Sequence, residues 1–497
     1  MSQLADTAVK SPHAVLREKY YCLIGGELTG AASGRTVPTL NPATGERLAD
    51  VPDCDERDVN MAVEAAKKAY PAWRKLTPTE RASYCRRFAQ RLRARAETYA
   101  LLDALDGGNP FQAMRKDVAV VAGQFDYYAG LATELKGETI PANSGTFNFT
   151  IREPYGVVAR IPAFNHPIMF SARIGAALVA GNTVVVKPTK QAPLSSLEMA
   201  HDAKEIFPPG VVNVIVGLGG GEGIGMHLVK HPLVRRIVLT GSVEVGQAIM
   251  RAAADGMKVV TLELGGKNPM VVFPDIDLDK AVDSAFLGMN YTWCAGQSCG
   301  STSRLFLHED IHDQFVERLV ERLQAVRIGL PADEKTEMGC LVSQKQFDRV
   351  MSYIELGKQE GARLVYGGTK PPNPELQNGY FVLPTVFENV DYKMRLAQEE
   401  IFGPVQSVLK WRDPSDIVEM ANGVDFGLTA SVWAKDFPTA YRLAQEIQAG
   451  YIWINDSSRH FPGVPYGGYK QSGIGRDECL ANLLSYTQIK SINVNLA

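Results

Sequence analysis

In the stretch Cys294-Ala295-Gly296-Gln297-Ser298-Cys299-Gly300-Ser301, two cysteines stand among small residues. A thiol there is either a nucleophile or buried sulfur. Thiolate is the strongest side-chain nucleophile near neutral pH, and Ser298 and Gly300 leave room for a substrate to reach the Cys299 sulfur. The other cysteines, Cys22, Cys54, Cys85, Cys340 and Cys479, are scattered, and no pair has the CxxC spacing of a zinc or redox site. Such thiols fit a reduced, cytoplasmic enzyme, and no apolar run has signal-peptide or membrane-spanning length.

Two glycine-rich turns could cradle phosphate. Gly217-Leu218-Gly219-Gly220-Gly221-Glu222 follows a strand-like run, but Glu222 breaks the GxGxxG dinucleotide fingerprint. Thr240-Gly241-Ser242-Val243-Glu244-Val245-Gly246 has P-loop spacing without the Lys-Ser/Thr that should follow. Either could aim backbone N–H groups at an anion, though such turns singly are more often plain βα connections.

These groups need a frame. Among 497 residues, 45% are hydrophobic and 22% charged, a globular composition with length for about three domains. A net charge of −3 provides no footprint for nucleic acid or an anionic membrane. Thr77-Pro78-Thr79-Glu80 joins a capping box to a first-turn proline, opening a helix that Gly107-Gly108-Asn109-Pro110 closes. Its arginines, Arg81, Arg86, Arg87, Arg91, Arg93 and Arg95, interleave with apolar residues and read as a solvated face.

From residue 157 onward, apolar runs alternate with helix-like segments. Thr183–Val186, Val211–Val216, Arg236–Leu239 and Val259–Leu262 read as strands, while Leu194–Ile206 and a segment from Val243 read as helices. This alternation predicts an α/β fold with parallel strands and ligands at their carboxyl ends. A second α/β region over 264–465 has strands at Met270–Phe273, Arg304–Leu307 and Gly450–Ile454. TFNFTIRE (146–153) and the C-terminal SINVNL read as exposed strands suited to oligomer contacts.

Six motifs occur in order along these regions. They are Ile161-Pro162-Ala163-Phe164-Asn165-His166-Pro167, Val186-Lys187-Pro188, Glu263-Leu264-Gly265-Gly266-Lys267, Gly296-Gln297-Ser298-Cys299, Glu399-Glu400-Ile401-Phe402-Gly403-Pro404-Val405 and Pro465-Tyr466-Gly467-Gly468-Tyr469-Lys470-Gln471-Ser472-Gly473. The set resembles that of the aldehyde dehydrogenase superfamily, from Asn41-Pro42-Ala43-Thr44-Gly45 to Lys490. The resemblance implies a Rossmann-like NAD(P)-binding domain (1–129 and 151–262) and an α/β catalytic domain (263–465). It also implies a small β oligomerisation element (130–150 and 466–497) that makes a homodimer or homotetramer.

By the same resemblance, Cys299 is the nucleophile and Cys294 is packing. Asn165 steadies the oxyanion, and Glu263 activates the water that hydrolyses a thioester. Lys187 grips the adenosine ribose, and Glu400 and Phe402 hold the nicotinamide ribose and ring. Gly217, Gly241 and Ser242 contribute to the dinucleotide site, and no metal is required. Where NAD-preferring members often carry a glutamate, this chain has Lys190, which predicts NADP use at least equal to NAD unless that lysine merely faces solvent. Arg173 stands where tryptophan is frequent in the substrate tunnel. With Arg459 and His460 it predicts a substrate bearing a carboxylate or a polar-substituted aromatic ring, unless Arg173 serves a structural salt bridge.

Three rivals stand beside this reading. A coenzyme A-acylating relative is disfavoured by Glu263, and a cofactor-free thiol hydrolase leaves Lys187, Glu400 and Phe402 unexplained. A non-catalytic dinucleotide-binding relative has no need of Cys299, Glu263 and Asn165 together.

Overall fold

A computed structural model describes residues 12–217 and 223–496. Apolar runs without polar alternation, such as Thr183–Val186, form strands buried on both faces, as a parallel sheet requires. The first sheet runs Glu27–Thr29, Cys22–Ile24, Val212–Val214, Thr183–Val186, Val157–Ile161, Val234–Thr240, Val259–Glu263 and Gly473–Ile474. Its inner strands, from Val212–Val214 to Val259–Glu263, are parallel. Chain order reverses between Val157–Ile161 and Val234–Thr240, so a ligand crevice opens at their carboxyl ends. Asn165 follows one of those ends and Ser242 the other.

The second sheet runs Arg363–Tyr366, Thr385–Glu388, Val405–Trp411, Arg304–His308, Pro269–Val272, Thr429–Trp433 and Tyr451–Ile454. Its first pairing is antiparallel and the rest are parallel. Each large sheet has its own apolar core. Glu263 ends a strand of the first sheet, and a short turn leads to Pro269 in the second. Cys299 lies just before Arg304–His308. The seam between the sheets therefore carries both residues.

Thr146–Pro154 pairs along its length with Thr487–Asn495, and Thr139–Ile140 adds a third strand. Phe147, Ile489 and Val494 stay exposed on this small sheet. The chain after 466 divides its work. Gly473–Ile474 joins the first sheet beside Leu262 and Glu263, and only Thr487–Asn495 reaches the small sheet.

Two expectations need correction. The helix predicted from Thr77 to Gly107 is two helices, Pro78–Ala94 and Ala96–Gly107. At Arg95 the backbone leaves helical geometry while the guanidinium reaches Asp202 at 2.9 Å and also Glu198. Nor is the arginine face merely solvated. Arg81 is buried and donates to the Val179 carbonyl at 2.9 Å, and Arg91 and Arg93 pair with Asp202 and Asp126. Leu218 to Glu222, most of the first glycine-rich turn, lie outside the described residues. No described helix is long and apolar enough to cross a membrane.

Candidate active site

All seven cysteines are free, and Cys299 is partly exposed while the other six, Cys294 included, are buried. Backbone constraints build its loop. After the short helix Tyr291–Cys294, Ala295 (φ 50°) and Gly296 (φ 71°) take left-handed conformations. A Cβ at Gly296 would stand 2.4 Å from the Gly403 carbonyl oxygen, so glycine lets this loop close on the Glu400–Phe402 segment. A Cβ at Gly266 would lie 2.2 Å from the Cys299 carbonyl oxygen, so the turn after Glu263 also backs against the Cys299 loop. Asn268 donates to the carbonyls of Cys299 (2.7 Å) and Ser301 (2.8 Å), pinning the loop from below.

Burial pushes the Cys299 thiol up to about 12, and Glu400 and Glu263 add to the rise. A hydrogen bond with Tyr466 acts in the opposite direction. Glu263 is buried, and neither carboxyl oxygen has a hydrogen-bond partner among the described residues. Burial holds its carboxyl well above the usual range; Asp477 adds to this and Arg173 opposes it. A carboxyl so shifted, once ionised, is a stronger base than an ordinary one. Asn165 is buried too, its turn held by Asn109 donating to its backbone carbonyl at 2.8 Å.

A cavity of about 660 Å³ joins Asn165 and Cys299. Its walls are largely aromatic and apolar, with Tyr127, Met169, Phe170, Trp293, Trp453 and Phe461 among them. Arg173, Arg459 and His460 all line it. Arg173 is not, however, a free cation for a carboxylate. It donates to Glu478 Oε1 at 3.0 Å and reaches Asp477 Oδ2 at 3.5 Å. His460 places Nδ1 3.2 Å from the other oxygen of Glu478 and packs on Tyr451 and Tyr466. Arg459 extends to the exposed rim, 3.6 Å from Asp456. Glu478 was invisible to sequence reasoning because its partners come from distant parts of the chain. Tyr466 and His166 stood inside recognised motifs without an assigned role, and Asp117 carried no signal at all.

The residues expected on the cofactor side stand as follows. Burial lowers Lys187 to about 8, and neighbouring Lys190 adds to the effect. Neither lysine has an acidic partner among the described residues, so an anionic ligand would relieve both. Ser242 caps the helix Val243–Ala254 by accepting from the Val245 N–H, and the Gly241 N–H donates to the Glu263 carbonyl at 3.0 Å. Gly217 packs against the Cys54 backbone. Glu400 accepts from the Gly266 N–H at 2.9 Å, and burial raises it to about 7. Phe402 takes a left-handed backbone (φ 63°) and sets its ring edge-on to Phe164 at 5.6 Å. Two unneutralised cations, a capped helix start, a half-buried carboxyl and a fixed ring suit a dinucleotide, with phosphates and ribose hydroxyls as the matching groups.

A cradle suited to a dinucleotide that ends against a reachable thiol fits an oxidoreductase. Similarity to known proteins narrows this class. Residues 29–492 match the aldehyde dehydrogenase family, and the chain belongs to that family. The aldehyde dehydrogenase tropH of Talaromyces stipitatus is 48% identical over 466 residues, 92% of this chain and 90% of the relative. The hydroxyisobutyraldehyde dehydrogenase of Mycolicibacterium austroafricanum is 42% identical over 500 residues, 100% of this chain and 96% of the relative. The NAD+ complex of aldehyde dehydrogenase from Bacillus cereus superposes with a TM-score of 0.95 at 40% identity, covering 99% of both chains.

Proposed function

We propose that this aldehyde dehydrogenase oxidises its substrate to a carboxylic acid through a Cys299 thioester, which water activated by Glu263 then hydrolyses. One observation carries this reading. The single partly exposed thiol shares its seam with a buried carboxyl that has no partner among the described residues. The thiol passes its proton to the ionised form of Glu263, which its raised value makes a stronger acceptor than an ordinary carboxylate. The thiolate adds to the aldehyde carbon, a C–S bond forms, and an electron pair moves onto oxygen. The side-chain amide of Asn165 and the backbone N–H of Cys299 steady that oxyanion. When bound, the oxidised nicotinamide supplies positive charge and accepts the hydride released as the carbonyl re-forms. Glu263 gives up that first proton to solvent and then takes one from water, hydroxide adds to the thioester, the C–S bond breaks, and the leaving thiolate recovers the proton from Glu263 as the acid departs.

Lys187 and Ser242 hold the adenosine ribose and phosphates, while Glu400 and Phe402 hold the nicotinamide ribose and ring. Lys190 lies close enough to Lys187 to lower its pKa and has no acid beside it, so a 2′-phosphate meets attraction there. NADP is therefore used at least as readily as NAD. With Arg173 neutralised, the aromatic walls favour an uncharged aldehyde, in keeping with the hydroxyisobutyraldehyde named for one relative. The exposed apolar residues of the small sheet are suited to pairing subunits into a homodimer or homotetramer, and seven free thiols fit the cytoplasm.

Initial rates of reduced-nicotinamide formation test this, with NAD and NADP in parallel. The substrates are benzaldehyde, carboxybenzaldehyde, succinic semialdehyde and an aliphatic aldehyde. Turnover should fall on the order of 10⁴-fold or more in Cys299→Ala. A wild type inactive on every aldehyde, or an equally active Cys299→Ala, overturns the proposal. A strict preference for NAD removes only the role given to Lys190.

A further inference from the structure

The catalytic steps leave one buried carboxylate beside the tunnel unused. Asp117, on the helix Phe111–Gly130, is 0% exposed. Its Oδ2 lies 2.7 Å from His166 Nδ1, and its Oδ1 accepts from Trp293 Nε1 at 2.8 Å. Both partners line the cavity that holds Asn165 and Cys299. A carboxylate can only accept, so the proton sits on His166 Nδ1. Nε2, on the opposite edge of the ring, has no hydrogen-bond partner among the described residues.

Packing alone does not explain this histidine. Its ring stands edge-on to Phe170 (5.3 Å) and Trp293 (5.8 Å), a slot that phenylalanine would fill without a buried acid. Burying a carboxylate is costly unless it is hydrogen-bonded, so the Asp117 clamp serves the orientation of its two donors.

We infer that His166 is a specificity-determining residue, positioned by Asp117, that hydrogen-bonds a substrate hydroxyl close to the reacting carbonyl. The ligand class is an aldehyde with a hydroxyl one or two carbons from its carbonyl carbon, an aliphatic 2-hydroxy aldehyde or an ortho-hydroxylated aromatic one. This rests on the proposed docking of the carbonyl at Asn165 and Cys299. His166 follows Asn165 directly, with Cα atoms about 3.8 Å apart, so the group it reaches lies near the carbonyl oxygen. A hydroxyl both donates and accepts, and so matches Nε2 in either protonation state. A carboxylate matches only the imidazolium. Two charged groups of this wall are paired with acids, Arg173 with Asp477 and Glu478 and His460 Nδ1 with Glu478.

The test is kcat/KM for 2-hydroxybenzaldehyde, 4-hydroxybenzaldehyde and benzaldehyde, in wild type and in His166→Phe. In wild type the 2-hydroxy compound should be favoured over benzaldehyde about tenfold, the effect of one hydrogen bond. In His166→Phe that ratio should fall to near one, with the change in KM, while the 4-hydroxy ratio is common to both proteins. Asp117→Asn, with one acceptor oxygen for two donors, should lower the 2-hydroxy ratio by a smaller factor. Comparing ratios between proteins cancels the intrinsic reactivity of each aldehyde and any general loss of activity. If turnover in a variant is too slow, quenching of the cavity tryptophans gives the same ratio as Kd values for 2-hydroxybenzyl alcohol and benzyl alcohol. An unchanged ratio in His166→Phe, with benzaldehyde still oxidised by wild type, overturns this inference alone. A wild type inactive on all three aldehydes overturns the proposed function and this inference with it.

Discussion

Glu263 and Glu478 lie within electrostatic reach of one another and are buried to the same degree, at 6% and 5% exposure. Their carboxyls nevertheless behave in opposite ways. Burial lifts Glu263 well above the ordinary range, and no described hydrogen-bond donor offsets it. Burial would do the same to Glu478, but Arg173 and then His460 outweigh it and hold this carboxyl below its usual value. Depth is shared, so partnership makes the difference. A buried carboxyl without donors is suited to move protons, and one gripped by a guanidinium is a strut in the tunnel wall.

The same substitution at both positions is the sharpest way to probe that contrast. Glu263→Gln should lower kcat on the order of 10²–10⁴-fold, because the proton acceptor is gone while the shape remains. The pre-steady-state burst of reduced cofactor should slow as well, since the thiol has lost its proton acceptor. In wild type, the hydrolytic rate should climb with pH through the raised Glu263 value, and this limb should vanish in the variant. A rate profile that keeps the limb would move the role of base elsewhere.

Glu478→Gln should act on stability instead. It leaves the largely enclosed Arg173 facing Asp477 alone, at a cost of about 3 kcal/mol measured by urea unfolding. Because the folded-state value of Glu478 is depressed, its contribution is present above the ordinary glutamate range and is lost as pH falls through the depressed value. Glu263 has the opposite sign. Its folded-state value is raised, so the fold holds that proton more tightly, and stability declines as pH rises from the ordinary range through the raised value. At neutral pH, Glu263→Gln should therefore unfold at slightly higher urea than wild type, the smallest effect of the set. Equal destabilisation by the two variants would dissolve the contrast.

Much of this was legible beforehand, for reasons that can be named. Thr183–Val186 and Leu194–Ile206 follow from apolar patterning, and the capping box at Thr77 and Glu80 opens its helix as read. Cys299, Glu263, Asn165 and Lys187 each sit in a short contiguous motif, where residue type and backbone demand are local properties. The helix break at Arg95 was not legible, because that residue's partners, Asp202 and Glu198, lie on another helix. The same holds for Arg173, whose charge is cancelled by residues near the other end of the chain.

Local chemistry is therefore written along the chain. A thiol among small residues, glycines where the backbone must approach closely and apolar runs long enough for strands depend on neighbours a few positions away. Charge state and pairing are not written there. Whether Glu263 is a base or a strut, whether Arg173 is free or neutralised, and which way His166 presents its ring all follow from desolvation and Coulomb terms. Those terms act through space, and folding alone determines which distant side chains supply them.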